Sequence, residues 1–154
     1  MSIAALSVAT VFFMANPPEE VTLKEAKCVV EAVHYEANGE SIQGKVGVMF
    51  TLQTRKISPR FPNTYCGVLK HENQFNHRGV GLSLNDVYLS ESDDVRSFDE
   101  TLVLVSDFLE GRLTDPTQGA DHFYNPDEVP RTPIWAANPI TSVRIGGHRF
   151  IRLY

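Results

Sequence analysis

The sequence is poor in cysteine and in clustered positive charge. Its 154 residues contain two cysteines, Cys28 and Cys66, and 14 lysines and arginines against 19 acidic residues, a formal net charge of -5. Two cysteines are too few for a disulfide scaffold or a four-cysteine zinc site. They form either one bridge in an oxidising compartment or two free core residues, the commoner state of buried cysteine. The scattered basic residues argue against nucleic acid as a partner.

The five histidines lack the spacing of a metal site. His71-Glu72 begins a His-Glu-x-x-His motif, but the second histidine is missing, and the other histidines form no close ligand pair. The sequence therefore predicts no metal and no cofactor, and a zinc amidase or peptidase is disfavoured.

The first 16 residues lack charged side chains, and their apolar run ends at Pro17-Pro18. The run is shorter than the roughly 20 residues of a spanning helix and has no basic start, as a standard secretory signal would. A weak signal or signal-anchor, a releasable membrane anchor and a helix packed on the domain all remain open, and we favour a role in export. The prolines predict a boundary that separates a segment of residues 1–18 from a single domain of residues 19–154.

Apolar residues that recur every three or four positions predict three helices in this domain. The first begins near Leu23, after a capping box formed by Thr22 and Glu25, and ends at Asn38-Gly39. The second follows Ser41 and ends around Arg55-Lys56, and its glycines at 44 and 47 indicate close approach of another helix or of substrate. The apolar face of the third helix is formed by Val95, Phe98, Leu102, Val105 and Leu109.

The rest of the domain has other patterns. Residues 57–92 show no sustained period and are predicted to be loops and short elements that cross a cleft. After Asp115-Pro116, short strands are predicted at residues 122–124, 142–145 and 149–154, the last two forming a hairpin about Gly146-Gly147. The predicted fold class is α+β, with helices first and a small C-terminal β portion.

Glu36 continues the apolar face that Val29 and Val33 form on the first helix. Desolvation raises the pKa of a carboxyl group held against apolar side chains, and such a group can act as a general acid. The alternative is an ordinary solvated glutamate, which is the commoner state in helices. Glu40 lies beyond Gly39, where the helical register is lost, and is a supporting residue or a second candidate for the acid.

Six segments together resemble the SleB-like cell wall hydrolases, a family that includes spore cortex-lytic enzymes and phage endolysins. They are Tyr35–Glu40, Ser58–Thr64, Gln74-Phe75, Gly119–Asn125, Trp135 and Arg144–Phe150. The resemblance implies a lysozyme-like fold related to lytic transglycosylases, with Glu36 as the single catalytic glutamate. It also implies cleavage between N-acetylmuramic acid and N-acetylglucosamine, leaving a 1,6-anhydro end. Asn38 and Asn76-His77 depart from the family pattern, which commonly has arginine at the first position and an aromatic residue at the second.

The matched segments also contain candidate sugar-binding residues, because flat aromatic faces suit sugar rings. These are Gln74, Phe75, His122, Tyr124, Asn125 and Trp135. Core packing is the alternative role for the aromatic residues, and a structural hydrogen bond is the alternative for His122. The expected partner is peptidoglycan, bound by a monomer in the bacterial cell envelope, with membrane association through the N-terminal segment as an option. The alternative functions are a non-catalytic peptidoglycan-binding module and a hydrolytic muramidase or amidase.

Overall fold

A computed structural model describes residues 22–71 and 92–154. The predicted export segment and the candidates Gln74 and Phe75 lie outside these residues. The described elements are α1 (Leu23–Ala37), α2 (Ile42–Ile57), α3 (Tyr65–Lys70), α4 (Ser92–Leu109), β1 (His122–Tyr124), β2 (Thr141–Ile145) and β3 (His148–Arg152). The predicted α+β class is confirmed, and α3 is a short element of the region where no sustained period was found. Within these ranges, no helix is long and apolar enough to cross a membrane.

The start of α1 confirms one half of the predicted capping box. The Thr22 hydroxyl accepts a hydrogen bond from the Glu25 N–H at 3.3 Å. A complete box would return the Glu25 carboxylate to the Thr22 N–H. The structure places this carboxylate instead at the backbone N–H groups of Tyr65 and Cys66, at the start of α3. Glu25 therefore satisfies the free N–H groups of a neighbouring helix, where the helix dipole also favours a negative charge.

Cys28 of α1 and Cys66 of α3 form a disulfide that links residues 38 positions apart. Free cysteines had been the commoner expectation, and this expectation was wrong. The Glu25 contact sets the first turn of α3 beside α1, and the two cysteine Cα atoms lie 5.2 Å apart. This separation falls in the ordinary range for a bridge. No local sequence pattern predicts that Cys28 and Cys66 lie close together, because their proximity depends on how α1 and α3 pack.

The core lies between α1, α2 and α4. Its fully buried side chains include Val29 and Val33 of α1, Val48, Met49 and Leu52 of α2, and Phe98 and Val105 of α4. Burying each such side chain stabilises a fold by roughly 1.5–3 kcal/mol. By contrast, 49% of the surface of Ile42 in α2 is exposed. Ile42 is the first residue of α2 and lies at the exposed end of the helix.

The sheet is antiparallel, with strand order β1-β3-β2. Phe123 pairs directly with Phe150, so both side chains point to the same face of the sheet. That face packs on α2, where a Cβ atom added to Gly47 would lie 2.6 Å from the Phe150 ring. The close approach predicted at Gly47 is thus made by an aromatic ring of β3, rather than by another helix or by substrate. His122 and Tyr124 flank Phe123 and therefore belong to the opposite face.

Candidate active site

The two candidate glutamates lie at the connection between α1 and α2. Glu36 is in the last turn of α1 and is half-buried, at the end of the face on which Val29 and Val33 are fully buried. Gly39 adopts a φ of +82°, which ends the helix, and Glu40 directly precedes the N-cap residue of α2. The five residues from Glu36 to Glu40 thus place two carboxyl groups at the boundary between core and surface.

A buried cation lies near Glu36. Arg55 of α2 is 3% exposed, and its Nε donates a hydrogen bond to the Asp121 carbonyl at 2.5 Å. Burial lowers the pKa of Arg55 to about 10, against the attraction of the Asp121 and Glu36 carboxylates. The predicted apolar surroundings of Glu36 were therefore incomplete. The periodicity of α1 predicts that its valines lie beside Glu36. It cannot predict that a charged side chain of α2 also lies there.

Glu40 is held against the turn between β2 and β3. Its Oε2 accepts a hydrogen bond from the Gly147 N–H at 3.1 Å. A Cβ atom on Gly146 would overlap Oε2, and one on Gly147 would come within 2.5 Å of Oε1. The glycine pair therefore gives the carboxylate room to reach the backbone, in addition to forming the predicted hairpin turn. The Asn125 amide nitrogen lies on the same side, 3.8 Å from the Cβ position of Gly147.

Lys45 ties the same connection to α4. Its side chain is 1% exposed, and its Nζ donates to the Ser97 carbonyl at 2.9 Å and to the Ser97 hydroxyl at 2.8 Å. A third contact, at 2.9 Å, pairs Nζ with the Glu100 carboxylate. The Ser97 hydroxyl also accepts the Gly39 N–H at 3.5 Å. With three acceptors, the buried ammonium has the partners that its removal from water requires.

Asp121 organises the start of β1 and the last residues of the chain. Its carboxylate accepts hydrogen bonds from the backbone N–H groups of Leu153 and Tyr154 and contacts His122 Nδ1 at 2.8 Å. Burial raises the pKa of Asp121, but the hydrogen bonds from His122, Leu153 and Tyr154 outweigh it, and the pKa is lowered. Asp121 stood inside a matched segment without an assigned role, and the structure shows it as the residue that fixes His122.

The aromatic candidates lie together. The Trp135 ring lies 5.5 Å from the His122 ring and 5.7 Å from the Tyr124 ring, measured between centroids. Trp135 is 48% exposed, in agreement with a surface position. His122 and Tyr124 lie on the sheet face that points away from α2, and Trp135, in the 3-10 helix Ile134–Ala136, packs beside both. Asn125 lies instead near Gly147 and Glu40.

Phe61 connects this aromatic group to the surroundings of Glu36. The Arg55 guanidinium lies 5.2 Å from the Phe61 ring centroid, and the His122 ring lies 6.1 Å from it. Phe61 therefore contacts both His122 and Arg55, the cation near Glu36. In the part of the chain that the structure describes, no three His, Cys, Asp or Glu side chains are grouped as metal ligands would be.

Comparison with known sequences gives relatives along most of the chain. The Cell Wall Hydrolase family model matches residues 39–151, a range that includes Glu40 and begins three residues after Glu36. The spore cortex-lytic enzyme of Bacillus subtilis strain 168 is 29% identical over 136 residues, which cover 88% of this chain and 40% of that protein. The one from Halalkalibacterium halodurans is 30% identical over 135 residues, 88% of this chain and 37% of that protein. The chain thus spans about two fifths of these curated relatives.

Two solved structures share the fold. The catalytic domain of the germination-specific lytic transglycosylase SleB from Bacillus anthracis has a TM-score of 0.66 and 27% identity, covering 88% of this chain and 99% of that one. The catalytic domain of the Bacillus cereus SleB protein has a TM-score of 0.64 and 27% identity, covering 88% and 94%. With its family model matched over residues 39–151, the chain belongs to the Cell Wall Hydrolase family.

Proposed function

We propose that this protein cleaves the glycan strand of peptidoglycan between N-acetylmuramic acid and N-acetylglucosamine, as a lytic transglycosylase in which Glu36 is the general acid and base. The observation that carries the proposal is the place of Glu36, half-buried at the end of a helix whose apolar face lies beneath it and near the buried Arg55. The likeness to a lytic transglycosylase catalytic domain supports this reaction.

The reaction needs two proton transfers, both at the Glu36 carboxyl group. Protonated Glu36 donates to the glycosidic oxygen, the bond from this oxygen to muramic acid C1 breaks, and N-acetylglucosamine leaves with a free 4-hydroxyl. The positive charge that develops at C1 is then quenched by the muramic 6-hydroxyl oxygen, while the Glu36 carboxylate accepts its proton. The product carries a 1,6-anhydro ring. Attack by water in place of the 6-hydroxyl would give the hydrolytic outcome of a muramidase.

Arg55 and Glu40 support this chemistry in different ways. The Arg55 guanidinium supplies a fixed positive charge near the carboxylate that remains after Glu36 has donated its proton, and a buried charge acts more strongly than one in water. Glu40 holds the β2–β3 turn beside the α1–α2 connection through Gly147. We infer that Glu40 positions the hairpin and that Glu36 moves the proton.

Substrate binding is proposed for the aromatic group and its neighbours. Trp135 and Tyr124 provide rings for sugars, and the largely buried His122 ring packs beside Trp135. Asn125 lies near Gly147 and Glu40, and Gln74 and Phe75 complete the set taken from the matched segments. The site of action is the bacterial cell envelope, as for the cell wall substrates after which the family is named. The segment of residues 1–18 is proposed to serve export.

Muropeptide release from purified sacculi tests the proposal, with mass spectrometry to separate anhydro from hydrated ends. Glu36→Gln keeps the size and polarity of the side chain but removes its titrating proton, so turnover should fall by roughly 10² to 10⁴. Glu40→Gln should be milder, because an amide oxygen can still accept the Gly147 N–H. Glu128→Gln changes an exposed glutamate and is the matched control.

Each competing outcome has its own meaning. A folded Glu36→Gln protein that digests sacculi at the wild-type rate would overturn the assignment of Glu36, and inactivity of only the Glu40 variant would move the acid to that residue. Wild-type protein that binds sacculi without releasing fragments would be a binding module. Release of peptides from intact glycan would identify an amidase.

A further inference from the structure

Four aromatic side chains lie together on the outer side of the sheet, and we name them the aromatic surface: Tyr124, Trp135, His122 and Tyr154. The His122 ring is largely buried among the others. Tyr154 extends the group already described, since its ring lies 6.0 Å from the His122 ring. Tyr154 is 50% exposed and Trp135 is 48% exposed. A group of large aromatic side chains that are half exposed to water is typical of a binding surface, whereas single exposed rings are common anywhere.

A cation stands at the Tyr154 end of the aromatic surface. The Arg60 guanidinium lies over the Tyr154 ring, 4.0 Å from its centroid. Arg60 is exposed, and among the side chains of residues 22–71 and 95–154 no carboxylate pairs with it. By contrast, Arg144 pairs with Asp127 at 2.6 Å. In this stacked arrangement one face of the Arg60 guanidinium contacts the Tyr154 ring, and the N–H groups at its edge remain available to an anion.

The backbones of Arg60 and Tyr154 are both anchored by hydrogen bonds. The Arg60 N–H donates to the Ser58 hydroxyl at 3.3 Å, in the turn that follows α2. The Tyr154 N–H donates to the buried Asp121 carboxylate at 3.1 Å, and the Tyr154 main-chain oxygen accepts from Arg152 Nε at 2.7 Å. The anchored backbones place the two residues side by side, and the stacking restrains their side chains before a ligand arrives. A preorganised site binds more tightly.

Building on the glycan-cleaving function proposed above, we propose that Arg60 and Tyr154 form a subsite for a carboxylate of the stem peptide, on a glycan strand whose sugar rings lie on Trp135 and Tyr124. A sugar backbone without peptides is neutral and needs only flat apolar rings. A stem peptide adds carboxylates, which a guanidinium can bind through two parallel N–H groups. The net charge of -5 offers no general attraction for such an anion, so a local cation has to supply it.

The test compares two ligands on the full-length protein in the Glu36→Gln background, where strands are not consumed. The ligands are glycan strands that keep their stem peptides and strands stripped of peptides by an amidase. Arg60→Gln should weaken binding of the peptide-bearing strands about tenfold and leave the stripped strands unchanged. Tyr154→Leu should shift binding of the peptide-bearing strands in the same direction. Arg131→Gln changes another exposed arginine and should alter neither affinity.

Equal weakening of both ligands by Arg60→Gln, or no weakening of either, would overturn the subsite. This result is separate from the proposed reaction, because binding is measured without turnover. If wild-type protein releases no muropeptides from sacculi, the proposed function fails, while the two affinities still decide whether Arg60 recognises a carboxylate.

Discussion

The carboxylate of Glu40 accepts a hydrogen bond at 3.1 Å from the backbone N–H of Gly147, a residue 107 positions later in the chain. This contact joins the connection that carries Glu36 to the turn between β2 and β3. It also explains the adjacent glycines in physical terms, since a side chain on either one would occupy the place of the carboxylate. The geometry of the α1–α2 connection therefore depends on the hairpin.

Replacing Gly146 by alanine should displace Glu40 and lower both stability and turnover. Overpacking of this kind typically costs about 1–3 kcal/mol. Gly111→Ala is the matched control, because Gly111 has a similar positive φ of 72° with nothing within 4 Å of its Cβ position. Thermal unfolding should show a loss in both variants, while muropeptide release per folded molecule should fall only for Gly146→Ala. Equal activity of the two variants would show that the contact does not position the site.

Reduction of the Cys28–Cys66 bridge should lower the unfolding midpoint by on the order of 10 °C. Opening a loop of 38 residues removes about 3–4 kcal/mol of stabilisation by chain entropy. The measurement is thermal unfolding with and without reductant, and the double variant Cys28→Ala/Cys66→Ala is the control that should not respond to reductant. An unchanged midpoint of the wild-type protein in reductant would contradict the expected contribution.

Asp121 should make the protein sensitive to acid. Because its pKa in the folded protein is below the ordinary value of 3.8, the unfolded state binds protons more readily. The stabilisation from Asp121 is therefore present above about pH 4 and is lost as the pH falls through the lower, folded-state pKa. Urea unfolding at pH 7 and at pH 3 should show a larger loss for wild type than for Asp121→Asn. A similar loss in both would assign the acid sensitivity to other groups.

Removal of residues 1–18 should leave a folded, active domain. The Thr22 cap and the buried face of α1 lie downstream of Pro17-Pro18, so the described core keeps its side chains. Cooperative unfolding and muropeptide release by the truncated protein are the measurements, with full-length protein as the reference. A truncated protein that unfolds without cooperativity would identify the segment as part of the core.

The sequence by itself determined the three long helices and the strands, but not the bounds of α3. Helices α1, α2 and α4 were predicted because side-chain periodicity and end caps are local signals. The β2–β3 hairpin was predicted for the same reason, since Gly146-Gly147 marks a tight turn between two short strands. The grouping of His122, Tyr124 and Trp135 followed from a resemblance rather than from any spacing between them.

The tertiary structure alone decided the partners of the charged and sulfur-containing side chains. Glu25 accepts the free N–H groups at the start of α3, and Cys28 is bonded to Cys66. Arg55 lies near Glu36, and Glu40 accepts the Gly147 N–H. The two residues of each pair are 19 to more than 100 positions apart in the chain. A helical or strand period constrains only neighbours on the same element, so it reports which face is buried and not what the face meets. The identity of each partner is set by the packing of α1, α2 and the sheet against one another, because a buried charge is stable only where that packing brings it a counter-charge or a hydrogen bond.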